Sequence, residues 1–310
     1  MRIFLIISFI FSVLSATDWI NTGSSIPSNP EWIINGPSNN DIELSFQLSG
    51  YFIKKDSEGN TQISLPGGVP ILESGAPDLP RMARSIIIPN LAHMELSIVE
   101  TKFFEIEVKN ILPSKGNLTR DINPESIPYS YGKPYDLDAW YPDNISFLRD
   151  PYILRTLRGQ AVVFQPFQYN PKKKMLRVYT HIKVNIQENG ESQINPLTKY
   201  PFGFESREFE YMYQDHFINY PNNLRYDVLT EHGPMLVISH GSFMDDMQPF
   251  VDWKNYKGIP TEIIDIASIG DVDDMAQFIN DKYYENGIAY VLLVGDVAQI
   301  ETIRRSNGAG

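Results

Sequence analysis

The chain has 310 residues, a length that accommodates about two domains of ordinary size. Hydrophobic residues make up 42% of it and charged residues 21%, a composition that supports packed cores and excludes an intrinsically disordered chain. The net charge of -12 argues against a nucleic-acid or anionic-membrane partner, because such contacts need clustered basic side chains. The basic run at 172–174 follows Asn170-Pro171 and is typical of a solvated hairpin turn.

The first 16 residues have the pattern of a signal peptide. Arg2 precedes an apolar run from Ile3 to Leu14, and the small residues Ser15 and Ala16 follow as a cleavage site. The run is shorter than the about 20 apolar residues that a membrane-spanning helix requires. The sequence therefore predicts an exported protein, secreted or located at the cell surface, with no membrane span.

Cysteine is absent from the chain. Without a disulfide framework, an exported protein of this sequence must derive its stability from ordinary hydrophobic cores. The absence also removes the thiolate nucleophile and the cysteine metal ligand from the chemistry of these residues. Any cysteine chemistry is therefore expected beyond residue 310.

Proline divides the chain unevenly, because 19 of the 22 prolines precede residue 226. Dense proline disfavours helices and is typical of a β architecture rich in turns. Residues 51–53 and 62–65 flank a turn that contains Gly59, which predicts a hairpin. Residues 195–225 are expected to form an exposed linker that carries several aromatic side chains.

The clearest strand covers residues 176–186, where apolar and polar residues alternate. This period of two predicts one buried and one solvated face, with Tyr179 and His181 on the solvated side. The run 161–169 is expected to pair with it across the turn at Asn170-Pro171. We therefore predict an all-β antiparallel sandwich over residues 17–225.

After residue 226 the pattern changes to short apolar runs and helical stripes. Three buried strands are predicted, at 235–238, 261–264 and 290–294. Between them we expect one helix capped by Ser242, with a kink or later start at Pro249, and one from Asp271 to Gly287. This order predicts a parallel sheet with helical crossovers. Because so few elements would leave an apolar edge exposed, we expect 226–310 to be the truncated start of a larger α/β domain.

Several stretches of the chain resemble the gingipain-type cysteine peptidase family. They are FVDWKN at 250–255 with Gly258 and Thr261-Glu262 after it, YVLLVGD at 290–296, ESGAPDLP at 73–80, and 158–179 from RGQ to LRVY. The resemblance covers most of residues 66–300. It implies a β-rich pro-domain over 17–225, followed by the N-terminal part of a caspase-like catalytic domain.

The resemblance also implies an activity and its control. Members of this family are made as zymogens and cleave protein or peptide substrates with a His-Cys dyad, in which the histidine supports the thiolate. Both dyad residues follow the strand that 290–294 resembles, so no catalytic residue is assigned here and the fragment is expected to be inactive. The pro-domain is expected to inhibit the catalytic domain intramolecularly. Calcium is the one ion that the resemblance suggests, and no ligand set is assigned to it.

Arg225-Tyr226 is the candidate processing site. The pair lies at the predicted boundary, in a stretch rich in proline and asparagine that is expected to be exposed. The resemblance implies cleavage at a basic residue near this point. The alternative interpretation is an ordinary linker arginine.

His240 and Asp296 are the other candidate site residues. Each follows a predicted parallel strand, at the end of the sheet where α/β folds form ligand crevices. For His240 the alternative is an ordinary loop position without a functional role. For Asp296 the alternative to a calcium or substrate-binding role is a cap or loop hydrogen bond. The acidic clusters Asp245-Asp246 and 271–274 lack the order of an EF-hand and are typical of helix starts.

Two other functions stay open. The chain could belong to a non-enzymatic exported binding or adhesion protein, and a histidine and a cysteine downstream would separate the peptidase from this alternative. A small-ligand domain of flavodoxin type is disfavoured, because no G-x-G-x-x-G or P-loop follows residues 238 or 294.

Overall fold

The computed structural model describes residues 17–203, 205–221 and 231–302. The predicted signal peptide and the predicted processing site Arg225-Tyr226 lie outside the described residues. We call residues 17–221 the β-rich part and residues 231–302 the α/β part, after their secondary structure.

The β-rich part contains fourteen strands, one α-helix and two short 3₁₀ helices, Pro124–Ser126 and Lys133–Asp136, in the described residues. The strands are β1 (Thr17–Asn21), β2 (Glu31–Ser38), β3 (Asp41–Gln47), β4 (Gly50–Lys55), β5 (Asn60–Ser64), β6 (Val69–Pro70), β7 (Pro80–Ile87), β8 (Ala92–Glu107), β9 (Asn110–Ile111), β10 (Ser146–Leu148), β11 (Tyr152–Leu154), β12 (Leu157–Phe164), β13 (Phe167–Asn170) and β14 (Met175–Glu191). The helix is α1 (Arg207–His216). The α/β part contains β15 (Met235–Ser239), α2 (Met244–Tyr256), β16 (Thr261–Asp265), α3 (Val272–Asn286) and β17 (Tyr290–Val294).

Three sheets of the β-rich part share one hydrophobic core. Their strand orders are β1-β4-β5-β9, then β10-β12-β7-β6 with β11 on β12, and β13-β14-β3-β2 with β8 on β14. Pairing is antiparallel apart from the short β5–β9 contact. Each sheet contributes buried side chains to the common core, among them Tyr51, Phe164 and Val178. The predicted all-β antiparallel architecture is therefore confirmed.

The long strand β14 follows the predicted alternation with one exception. Its apolar side chains at 176, 178, 182, 184 and 186 are fully buried, as expected. Tyr179 is buried as well, which corrects the prediction that it faces solvent. Tyr179 pairs with Phe103 of β8, its ring lies 5.3 Å from the Phe103 ring, and its hydroxyl donates to Gln168 Oε1 at 2.8 Å.

Two further predictions for the β-rich part need correction. Only β13 pairs with β14, not the whole run 161–169. The earlier residues of that run belong to β12, which ends before Gln165-Pro166 and pairs with β7 in another sheet. The supposed linker at 195–225 contains the helix α1. Its aromatic residues recur at intervals of four, so Tyr213 and Phe217 pack against Ile87 in a separate small core.

The α/β part is a three-stranded parallel sheet in the order β16-β15-β17, as predicted. Helix α3 begins with a capping box between Asp271 and Asp274 and ends at Gly287, whose φ of 64° is left-handed. Helix α2 departs from the prediction: a short 3₁₀ turn, Gly241–Phe243, precedes it, Ser242 is not its cap, and it continues through Pro249.

Strand β17 is less buried than its apolar sequence predicted. Val291 and Leu293 are each 42% exposed, because β17 is an edge strand and this face is uncovered in the described residues. None of the helices in residues 17–203, 205–221 and 231–302 has both the length and the apolar character needed to cross a membrane.

A fully buried arginine connects β12 to two loops of the β-rich part. Arg158 donates through Nη1 to the carbonyls of Pro89 and Ala92, at 2.9 and 2.7 Å. Its Nε and Nη2 donate to the carbonyls of Asn195 and Ile194, both at 2.9 Å. Burial lowers the pKa of the Arg158 guanidinium below its usual value. These four hydrogen bonds fix the chain at 89–92 and 194–195 against β12.

Replacing this arginine tests its structural role. We expect Arg158→Met to destabilise the protein by about 3 kcal/mol or more, because four carbonyls lose hydrogen bonds from one fully buried guanidinium. Urea unfolding followed by circular dichroism measures the change. Arg120→Met, at an exposed loop position, is the control. Equal unfolding midpoints for the two variants would contradict the assignment.

Candidate functional site

The carboxyl ends of the three parallel strands form one candidate crevice. His240 follows β15, and its backbone N–H donates to the carbonyl of Val294 at 3.0 Å, which joins the ends of β15 and β17. Gly241 lies against the last residue of β16, since a Cβ there would be 2.8 Å from Asp265 Oδ2. The loops after the three strands therefore meet, as expected for ligand crevices of α/β folds.

The two candidate residues at this crevice make local hydrogen bonds. His240 Nδ1 accepts from the Ser242 backbone N–H at 3.3 Å and lies 2.7 Å from Ser242 Oγ, so it caps the 3₁₀ turn. Asp296 Oδ1 accepts from the Ala298 N–H at 3.1 Å and shapes its turn. With no cysteine in the chain, these residues complete no nucleophile–base pair of cysteine-peptidase type.

The geometry of the described residues gives no ligand set for the calcium ion that the resemblance suggested. In the part of the chain that the structure describes, no group of three or more His, Asp or Glu side chains is placed to hold a metal ion. Asp271 and Asp274 close a capping box, and Asp245 and Asp246 lie in the first turn of α2. Calcium binding therefore stays a prediction from the resemblance alone.

A second group of polar residues lies where the β-rich and α/β parts meet, beside α1. His232 Nδ1 lies 2.6 Å from Glu208 Oε1, and the Gly233 N–H donates to Glu208 Oε2 at 3.3 Å. Burial alone would raise the pKa of Glu208, but hydrogen bonds from His232, Gly233 and Tyr290 lower it to about 2. The carboxylate is thus held ionised at the entry to β15.

Arg155 crosses the same junction from the β11–β12 turn. Its Nη1 donates to the carbonyl of Ile288 at 2.9 Å and its Nη2 to that of Gly287 at 2.8 Å. Its Nε lies 2.9 Å from Glu205 Oε1 without hydrogen-bond geometry, so that contact is an ion pair. The Glu205 carboxylate also accepts from the hydroxyls of Thr156 and Tyr213. One arginine therefore connects a hairpin of the β-rich part to the end of α3.

The residues that flank the predicted processing site both contact α1. On one side, the Tyr220 hydroxyl donates to Glu210 Oε2 at 2.6 Å. On the other side, the Arg207 N–H donates to the Glu231 carbonyl at 3.1 Å. Arg225 and Tyr226 themselves lie outside the described residues, so cleavage there stays a prediction.

The sequence did not single out Arg155, Glu205 or Glu208. Glu208 and His232 are 24 positions apart, and the two residues that accept from Arg155 lie more than 130 positions away. No spacing rule connects such residues before the fold is known. The available signal was the aromatic period of four in α1, which places Glu205 and Glu208 at the start of a helix.

Comparison with known proteins identifies the two parts. The family model Propeptide_C25 matches residues 42–214, and the model of Peptidase family C25 matches residues 229–303. The chain belongs to the gingipain-type C25 cysteine peptidase family. It carries a C25 propeptide region followed by the beginning of a C25 peptidase region.

Individual relatives agree with this assignment. The chain is 40% identical over 248 residues to Gingipain R2 of Porphyromonas gingivalis strain W83, covering 77% of this chain and 33% of the relative. It is 42% identical over 238 residues to Gingipain R1 of the same species, covering 74% and 23%. The chain thus spans about a third or less of the length of these curated relatives.

A solved structure also matches. A chain from the complex of Porphyromonas gingivalis RgpB pro- and mature domains aligns with a TM-score of 0.55 and 35% identity. The alignment covers 62% of this chain and 98% of the RgpB chain. Together with the two family models, it confirms the gingipain-type fold class that the sequence predicted.

The Glu208–His232 contact predicts a pH dependence of stability. Because the folded-state pKa of Glu208, about 2, lies below its ordinary value of 4.5, the contact stabilises the fold fully above pH 4.5. That contribution is lost as the pH falls through 2. We expect the Tm of wild type to be a few degrees higher than that of Glu208→Gln at pH 6. This difference in Tm should vanish near pH 2.

Thermal unfolding from pH 6 to pH 2 measures this difference. Glu262→Gln is the control, because it removes an exposed pair with Lys282 in the α/β part. A difference between wild type and Glu208→Gln that stays constant over the range would contradict the prediction.

Proposed function

We propose that this chain is the N-terminal section of an exported cysteine endopeptidase precursor, whose His-Cys dyad lies beyond residue 310. The observation that carries the proposal is the succession of a C25 propeptide match and a C25 peptidase match along one chain. The strand-end crevice at His240 and Asp296 is in place in the α/β part, whereas the chain has no cysteine. The nucleophile must therefore come from sequence further along, and this section alone is inactive.

In this proposal, the β-rich part is an intramolecular inhibitor of the peptidase that follows it. The contacts of Arg155 and Glu208 with the α/β part support a stable association. The pro- and mature domains of the relative RgpB form a complex, which is consistent with the same role here. Substrates would be proteins or peptides, and the apolar N-terminus would direct export to the medium or the cell surface.

Alkylation of the longer precursor tests the enzyme assignment. The coding sequence downstream of residue 310 should supply a histidine and then a cysteine at strand ends. The peptidase activity of the activated enzyme should fall at least 100-fold after treatment with iodoacetamide, because this reagent alkylates a thiolate nucleophile. The present chain, which has no cysteine, is the unreactive control. A downstream sequence without cysteine would favour the binding or adhesion alternative.

Processing provides a separate prediction. We expect activation to cleave the precursor after Arg225, so that the mature N-terminus is Tyr226. Arg225→Ala should slow this cleavage at least tenfold, whereas Arg207→Ala, at a nearby basic residue in α1, should leave it unchanged. N-terminal sequencing of the mature protein is the measurement. A start far from Tyr226 would refute this site.

A further inference from the structure

The contacts between the two parts lie at the amino end of the parallel sheet. Glu208 binds His232 just before β15, and Arg155 binds the carbonyl of Gly287 just before β17. The Phe202 N–H donates to the Tyr284 carbonyl at 2.9 Å, in the last turn of α3. His240 and Asp296 follow the carboxyl ends of the same strands. A strand of five residues spans roughly 15 Å, so the junction and the crevice are separate surfaces.

Arg155 is the most buried charged group at this junction. Its side chain is 5% exposed. The guanidinium lies 4.4 Å from the ring of Phe209 in α1 and 5.3 Å from the ring of Tyr283 in α3, so an aromatic residue from each part packs on it. Burial raises the pKa of Tyr283 above its ordinary value. A desolvated arginine surrounded by aromatic rings has the character of an interface hot spot.

The α/β part presents a complementary surface to this cation. The carbonyls at the end of a helix have no partners within the helix and carry partial negative charge. Gly287 ends α3 in the left-handed conformation, and a Cβ there would be only 2.1 Å from the Phe202 carbonyl oxygen. The close approach of the two parts therefore requires glycine at this position.

We propose that the carboxyl end of α3 is a docking exosite for the β-rich part, with Arg155 as its anchor. The inference rests on the proposed role of the β-rich part as an inhibitor. It assigns the contacts that give this inhibitor its affinity to a surface separate from the strand-end crevice. Arg155 recognises main-chain carbonyls and an aromatic ring. A partner therefore needs a helix that ends in glycine and carries an aromatic residue in its last turn.

Glu205 orients the Arg155 side chain for this contact. Its carboxylate pairs with Arg155 Nε and leaves both η nitrogens free to bind the carbonyls of Gly287 and Ile288. The hydroxyls of Thr156 and Tyr213 bind the same carboxylate from the hairpin and from α1. The anchor is thus oriented by residues of the β-rich part alone, so little ordering is required when α3 binds.

Hydrogen–deuterium exchange on the full chain tests the proposal. In Arg155→Ala, the peptide covering 284–290 should exchange at least tenfold faster than in wild type, because it loses the side chain that binds the carbonyls of Gly287 and Ile288. Peptides of β14 and β8 should exchange as before. Arg177→Ala is the matched control, since Arg177 also pairs with a carboxylate, Glu105, and packs on the aromatic ring of Trp140.

Two outcomes would overturn the proposal. One is exchange at 284–290 within twofold of wild type in Arg155→Ala. The other is faster exchange confined to the hairpin at 152–157, which would make Arg155 a stabiliser of its own turn. Because exchange is measured without catalysis, failure here leaves the peptidase assignment intact, and failure of the alkylation test leaves the docking result intact.

Variants in the α/β part test the proposal independently, in case Arg155→Ala does not fold. Gly287→Ala should raise exchange at 199–203 and 284–290, because its Cβ would collide with Phe202. Gly258→Ala is the control, since Gly258 also has a left-handed φ, of 80°, after a helix, but a Cβ there meets nothing within 4 Å. Equal exchange in these two variants at 199–203 would refute a docking surface at this end of α3.

Discussion

A buried guanidinium with four carbonyl partners holds together the segments of the β-rich part that lead to its contacts with the α/β part. Arg158 forms no salt bridge with a carboxylate of the described residues, and it is stable in the interior because the carbonyls of two loops accept its hydrogen bonds. One of those loops leads directly to Lys199 and Phe202, which contact Tyr284 in the α/β part. The strand that carries Arg158 also begins at the turn that carries Arg155. Two of the contacts with the α/β part, those of Arg155 and of residues 199–202, are therefore close in the chain to this fixed point, and the third is made by Glu208 of α1.

Helix α1 is the second organising element. Tyr213 in the helix and Phe217 just after it pack against Ile87 of β7, while Glu208 on the same helix binds residues that lead into β15. Helix α1 thus contacts both the sheets of the β-rich part and the residues just before β15. A carboxylate with a strongly lowered pKa at that entry holds the first strand of the parallel sheet in position.

Much of the fold was predictable because it rests on local patterns. The alternation along β14 and the caps at Asp271 and Gly287 depend on residues close in sequence, and the structure confirms them. The burial of Tyr179 was not predictable, since it depends on contacts with Phe103 and Gln168 in neighbouring strands. Helix α1 was obscured by flanking prolines. The family resemblance was recognisable from short motifs, whereas the Arg155 and Glu208 contacts required the tertiary fold.

The hairpin turn at Arg155 has a consequence for biosynthesis. Its backbone is left-handed, with φ of 51°, and the side chains that orient it come from residues up to 213. A chain emerges from the ribosome with its N-terminus first, and its domains fold in that order. The surface of the β-rich part that binds the end of α3 is therefore synthesised before α3 leaves the ribosome. The β-rich part can therefore act as a template for the helix end that follows it.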